Sequence, residues 1–122
     1  HNYERNCVVY SGTHDNETLL GYFDSLSEEG YQYLLDYTGL CISDRICSEF
    51  KEKLANAVIR LAYQSVADTV ILQMQDILKK DNDARMNLPS TIGQNWRWRL
   101  KRGEFGEKEI KFLEKMADIY DR

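Results

Sequence analysis

Thr13-His14-Asp15-Asn16 is the stretch whose residue types could do chemistry. An adjacent imidazole and carboxylate can stabilise positive charge, hydrogen-bond sugar hydroxyls or hold a metal ion. A short β-prone run, Cys7 to Tyr10, and a small-residue turn, Ser11-Gly12, deliver these side chains just ahead of a helical pattern that begins near Thr18. Polar residues gathered where a buried strand gives way to a loop are what the active face of an α/β enzyme presents. The plainer reading is a helix cap, since Asp15 or Asn16 precedes Thr18 by a suitable distance. A metal site is disfavoured, because the only other His stands at position 1. Asn16-Glu17-Thr18 matches the glycosylation triplet, which is frequent by chance.

The elements that must position this stretch can be read in order. Thr18, Leu19, Tyr22 and Phe23 form a short helical face closed by Asp24-Ser25. Ser25-Leu26-Ser27-Glu28 fits a capping box, with Ser25 three residues ahead of the Glu28 carboxylate. Tyr31, Leu34 and Leu35 share one side of the second helix, and Gly39 is its natural stop. Ser43-Asp44 is expected to cap a third helix, along which Ile46, Phe50, Leu54, Ala57, Val58 and Leu61 recur at helical spacing. Asp68 to Met74 has a nearly continuous apolar centre, which suits a parallel strand buried on both faces, ending in the polar pair Gln75-Asp76. Lys79 to Gly103 reads as a loop, and a loop of that length usually serves a site. A last helix from about Gly106 presents Ile110, Leu113, Met116, Ala117 and Tyr120 to the interior.

The order is strand, three helices, strand, long loop, helix: a helix-rich α/β chain with two short parallel strands, about two βα units. Two such strands do not make a stable parallel sheet by themselves. The chain also opens without an initiator Met and straight into a strand signal. It is therefore expected to be a piece of a larger protein, residues 1–122 forming a single unit.

Bulk properties narrow the function classes. Hydrophobic residues make up 43% and charged residues 30%, which is globular rather than disordered composition. A net charge of −4 argues against nucleic-acid binding by the chain as a whole. Cysteines at 7, 41 and 47 lack the spacing of a disulfide framework or zinc site, so a reducing, cytoplasmic setting is expected. No apolar run approaches the roughly 20 residues of a membrane span.

Three further constellations could act. Asp76 could contact substrate beside Asp15, or simply serve a turn. Arg85, Asn87 and Asn95 could form a hydroxyl-binding surface, or hold the long loop through its own backbone. Trp96-Arg97-Trp98-Arg99-Leu100-Lys101-Arg102 concentrates charge: removing its four cations from the net −4 leaves −8. Interleaved Trp and Arg serve packing first, sugar-ring contact second and single-stranded nucleic acid third.

Two ordered motifs separated by about 70 residues carry a resemblance. They are Val8-Val9-Tyr10-Ser11-Gly12-Thr13-His14-Asp15-Asn16, and Ala84-Arg85-Met86-Asn87-x-Pro89 followed by Gly93-x-Asn95-Trp96-x-Trp98-Arg99-Leu100. Together they closely resemble the C-terminal part of the 4-α-glucanotransferases, or amylomaltases, of the α-amylase clan; His1-Asn2-Tyr3 also fits the segment ahead of this strand. The departures are Ser11 for the usual Thr, Glu17 for Asp, Tyr22 for Trp, and Ser90 where the family often has Gly.

The resemblance implies a (β/α)₈ TIM barrel, of which this chain would supply the last two βα units. It implies transfer of an α-1,4-glucan segment between glucans, or to glucose, by retaining double displacement. Asp15 would be the carboxylate that stabilises the transition state, and His14 its hydroxyl-binding neighbour. Asn16, Asp76, Arg85, Asn87, Asn95 and Trp98 would bind substrate. No metal or other cofactor is implied, and no nucleic-acid or membrane partner. No match to the family's nucleophile and acid/base motifs occurs in residues 1–122, so the chain alone is expected to be inactive, and to self-associate through unpaired strand edges. The competing class is a small helical module that uses the Trp96–Arg102 patch to bind RNA or protein. The buried-looking strand Val70 to Met74 argues against it, since a standalone module would offer that strand more partners.

Overall fold

A computed structural model describes residues 2–41 and 49–122. In chain order the elements are β1 (Val8–Tyr10), α1 (Leu19–Ser25), α2 (Glu28–Thr38), α3 (Phe50–Gln64), β2 (Thr69–Ile71), α4 (Met74–Ile77), a 3₁₀ turn (Asn82–Ala84) and α5 (Glu107–Tyr120). The expected helix-opening residues Ser43, Asp44 and Ile46 lie outside the described residues, as do His1 and Cys47. Among the described residues, no helix is long and apolar enough to cross a membrane.

The two strands pair in parallel, Val8 with Thr69, Val9 with Val70 and Tyr10 with Ile71. Among the described residues three helices lie between them, as a parallel crossover requires. The long helix α3 organises the core and packs against α1, α2, α4 and α5. Leu19 and Phe23 of α1, Tyr31 and Leu35 of α2, and Phe50, Leu54, Ala55 and Ile59 of α3 form the main buried cluster. Val9, Ala62 and Ala67 form a second, beneath the sheet.

Local chemistry sets the helix ends. Thr18 caps α1 by accepting from the Gly21 N–H, and Ser27 caps α2 by accepting from the Gly30 N–H. Both differ from expectation: neither Asp15 nor Asn16 caps α1, and the α2 cap is Ser27 rather than Ser25, whose hydroxyl donates to Tyr22 O and Glu17 instead. Gly39 ends α2 with φ 72°, the left-handed conformation glycine adopts without steric penalty. At α5, Glu109 reaches back to accept from the Gly106 N–H at 3.0 Å.

Three packing expectations are corrected. The buried face of α3 runs through Phe50, Leu54, Ala55, Ile59 and Ala62, while Ala57, Val58 and Leu61 are half-buried. Val58 packs against the main cluster, and with Leu61 it also borders an open groove of about 440 Å³ beside β1, together with Tyr3, Tyr10 and Tyr37. On α5, Ile110 is exposed and Met116 is the buried anchor, with Phe112 packed against the main cluster. The second strand is shorter than Asp68–Met74, and Thr69 and Ile71 are exposed on it. With a single neighbouring strand, its alternate residues face no covering layer.

Candidate active site

The site is built around the ends of β1 and β2, and a hydroxyl joins them. Ser11 Oγ accepts from the Gln73 N–H at 3.0 Å and donates to Asp76 Oδ2 at 2.6 Å. By capturing Gln73, Ser11 diverts the chain out of the strand and into α4. Gly12 then passes Gln73 so closely that an added Cβ would stand 2.3 Å from its Nε2. A side chain at position 12 would push the Gln73 amide aside.

Asp76 lies inside this junction rather than on its surface. It is 1% exposed, and its Oδ1 accepts from the Leu19 N–H at 2.8 Å. Burial raises its carboxyl above the ordinary 3.8, opposed by the Ser11 hydroxyl, the Leu19 N–H and the positive charge of Lys79. Expected as a substrate contact, Asp76 here has both oxygens engaged internally, tying β1, α1 and α4 together.

Beyond Gly12 the chain forms a tight turn. Asn16 Oδ1 accepts from the Thr13 N–H at 2.7 Å and from Thr13 Oγ1 at 2.9 Å. The Asn16 carbonyl oxygen thus holds the turn that presents His14 and Asp15. Their side chains are 54% and 50% exposed, with His14 Nε2 3.3 Å from Asp15 Oδ1.

The long loop closes over this turn and grips it from the other side. Arg85 Nη2 donates to the Asp15 carbonyl at 2.7 Å, its Nε donates to the Asn87 carbonyl at 2.9 Å, and its Nη1 lies 3.8 Å from Glu17 Oε1. Arg85 is in this way directed at backbone and Glu17, a tether between the two loops. The Asn87 N–H donates to the His14 carbonyl at 3.1 Å, and Asn87 Nδ2 donates to Asp15 Oδ1 at 2.6 Å. Trp96 lays its ring against His14, centroids 4.9 Å apart. Sequence reasoning placed Trp96 in the basic patch but missed this contact, and it missed the junction role of Ser11.

Asn95 holds the loop by its own backbone. Its Oδ1 accepts from the Leu88 N–H at 2.9 Å, and its Nδ2 donates to the Thr91 carbonyl at 3.0 Å. Trp98 is half-buried and lines, with Asn82, Arg85, Leu88 and Asn95, an open cavity of about 650 Å³ next to the gripped turn. The basic patch is partly self-engaged: Arg99 Nη1 donates to the Trp96 and Trp98 carbonyls, and Arg97 to Gln94. Trp96, half-exposed, does not fit the packing role expected first for the tryptophans. Among the described residues no cluster of three or more His, Cys, Asp or Glu could hold a metal ion.

An exposed carboxylate–imidazole pair just past β1 of a parallel strand pair, clamped by Asn and Arg from a neighbouring loop, is the kind of arrangement found at strand ends in α/β proteins. The family model described as 4-alpha-glucanotransferase matches residues 1–104. The chain belongs to the 4-alpha-glucanotransferase family. It is 41% identical to the 4-alpha-glucanotransferase of Aquifex aeolicus over the whole chain, spanning 23% of that relative. It is 40% identical to the Clostridium butyricum 4-alpha-glucanotransferase over the whole chain and 24% of that relative. The Arabidopsis thaliana chloroplastic/amyloplastic 4-alpha-glucanotransferase is 43% identical over 82% of this chain and 16% of its own length. Among solved structures, the amylomaltase from Streptococcus agalactiae in complex with acarbose superposes with a TM-score of 0.86 at 37% identity, covering 99% of this chain and 23% of that one. The chain thus spans less than a quarter of the length of these relatives.

Proposed function

We propose that this chain contributes the last two βα units of a (β/α)₈ catalytic barrel, and that the whole protein is a 4-α-glucanotransferase. The reaction is transfer of an α-1,4-glucan segment from one glucan to the 4-hydroxyl of another, or to glucose. It proceeds with retention through a glycosyl-enzyme, in two displacements. The relatives' names and the acarbose complex of the structural neighbour support that substrate class.

The single observation that carries the reading is the clamped Asp15. A carboxylate at a strand end, fixed by Asn87 and half open to solvent, stabilises the oxocarbenium-like charge that develops on the sugar. His14 offers a neighbouring donor for a sugar hydroxyl. Asn87 and the Asn16 amide complete the polar edge, and Trp98 contributes an apolar wall to the adjacent cavity. Arg85, Asn95 and Asp76 act behind them by holding the loops in place. The nucleophile and the acid/base belong to other parts of the barrel, so the chain alone does not catalyse. A reducing, cytoplasmic location fits the free thiols Cys7 and Cys41.

The test is maltotriose disproportionation by the full-length protein, with Asp15→Asn and Trp98→Ala variants alongside. Turnover in the wild type that collapses in a folded Asp15→Asn variant supports the reading. A full-length protein that transfers no glucan sinks it.

A further inference from the structure

Trp96 adopts φ 64°, a backbone conformation that glycine enters freely and a bulky aromatic rarely does. What holds it there is a 2.7 Å hydrogen bond from the Trp96 N–H to the Met86 carbonyl, next to the residue whose own N–H is bonded to the His14 carbonyl. The ring is not carried inward by this conformation, for Trp96 remains 52% exposed. It is carried onto the His14 imidazole, at 4.9 Å between centroids and 39° between planes. Within this chain burial does not explain why a tryptophan occupies a position that favours glycine, whereas the contact with His14 does. Strained residues that persist beside a site commonly belong to its working geometry.

We propose that Trp96 is a positioning residue: its indole face fixes the His14 side chain so that the imidazole stands beside Asp15 during transfer. The inference rests on the transferase reading of the site. Trp96 does not touch the reacting atoms in this role. It restricts the imidazole to one orientation, in which Nε2 lies 3.3 Å from Asp15 Oδ1. A half-exposed imidazole would otherwise sample several rotamers.

The experiment uses the full-length protein and the variants Trp96→Gly, Trp96→Phe, His14→Ala and the His14→Ala/Trp96→Gly double variant. Glycine suits the backbone, so Trp96→Gly should melt no lower than wild type while its kcat for maltotriose disproportionation falls about 10- to 100-fold, the loss expected for a misplaced group. Trp96→Phe, which keeps an aromatic face, should recover to within about threefold of wild type. In the His14→Ala background the Trp96→Gly change should have no further effect. Separate losses that multiply in the double variant would overturn the proposal, as would a rise in KM with kcat unchanged, the mark of direct sugar stacking at Trp96. An NMR readout on isotope-labelled histidine separates this from the transferase reading. The His14 ring signal should be displaced by the indole in wild type and move to the position of a freely exposed histidine in Trp96→Gly. If that signal does not move, the positioning role is wrong whatever the activity. If it moves in a protein that transfers no glucan, the transferase reading fails and the positioning stands.

Discussion

Asn87 Nδ2 donates to Asp15 Oδ1 at 2.6 Å across 72 residues of chain. The same loop holds the Asp15 carbonyl through Arg85 and the His14 carbonyl through the Asn87 N–H. Side chain and backbone of the strand-end turn are thus gripped from one direction, and both side-chain contacts fall on Oδ1 of Asp15. A fixed carboxylate stabilises developing charge better than one that must reorient during the reaction, because no reorganisation is needed at the moment of transfer.

From this grip follows a kinetic prediction. Removing the donor in Asn87→Ala costs a hydrogen bond to a charged group, about 1.5 to 3 kcal/mol. In the full-length protein that corresponds to a fall of roughly 10- to 100-fold in kcat/KM. The Asn87 amide is at the surface, so the melting temperature should change little. Steady-state disproportionation kinetics beside a thermal melt make the comparison. An Asn87→Ala protein with wild-type kcat/KM would detach the loop from the chemistry.

A stability prediction concerns Asp76, whose carboxyl is raised above 3.8 mainly by burial. A raised folded value means that the native state retains its proton after the unfolded state has lost it. Between 3.8 and the folded value the native state binds more protons, so this group lowers stability as pH rises through that window. Its contribution is fully present below 3.8 and lost above the folded value. Asp76→Asn keeps an acceptor for the Leu19 N–H but cannot ionise. The wild-type minus variant unfolding free energy should therefore fall with rising pH across the window and level off above it. A difference that rises with pH would show that the hydrogen bonds from Ser11 and Leu19 outweigh burial. Asp76→Ala, which orphans the Leu19 N–H, should cost about 2 kcal/mol below that window and less above it, with the same fall as the Asn variant.

How much of this was legible in the sequence depends on what fixed each feature. The β1 run, the polar cluster at its end and the Gly39 stop were readable because each is a local signal. The second strand was over-extended to Met74, since an apolar run carries no sign that the Ser11 hydroxyl, 62 residues away in sequence, captures the Gln73 N–H. The same long-range bond hid the burial of Asp76. The α3 stripe was found, yet its buried face was misjudged, because which side is covered depends on α1, α2, α4 and α5 rather than on spacing. Trp96 was invisible as a partner of His14, for nothing in a tryptophan signals a left-handed backbone.

Ser90 is the converse case, where a departure from the family pattern had a structural meaning. It stands where the family often has Gly and adopts φ 64°. Holding a non-glycine residue in that region costs roughly 1 to 2 kcal/mol, partly offset by the extra chain entropy that glycine loses on folding, about 0.5 to 1 kcal/mol. Ser90→Gly should accordingly stabilise the loop by about 0.5 to 1 kcal/mol. Slower proteolytic cleavage between Leu88 and Asn95, measured against wild type under native conditions, would register it. Faster cleavage would mean that the Ser90 side chain makes a contact worth more than the strain.

The last prediction concerns the chain in isolation. β1 and β2 form a two-stranded parallel sheet, so each retains an outer edge, and Tyr10 and Ile71 on them are 50% and 46% exposed. Exposed strand edges with apolar side chains recruit other strands, and a second copy of the same chain is the nearest supply. Residues 1–122 expressed alone should sediment as concentration-dependent oligomers at micromolar concentration. Lysine repels edge pairing, so Tyr10→Lys and Ile71→Lys should each shift the distribution toward monomer. The driving force is apolar burial and backbone pairing, so raising the salt should not dissolve the oligomers, in contrast to an ion-pair interface. A sedimentation profile that stays monomeric across the concentration range would show that the chain satisfies its edges by itself, and would remove the strongest physical reason for expecting it to act inside a larger barrel.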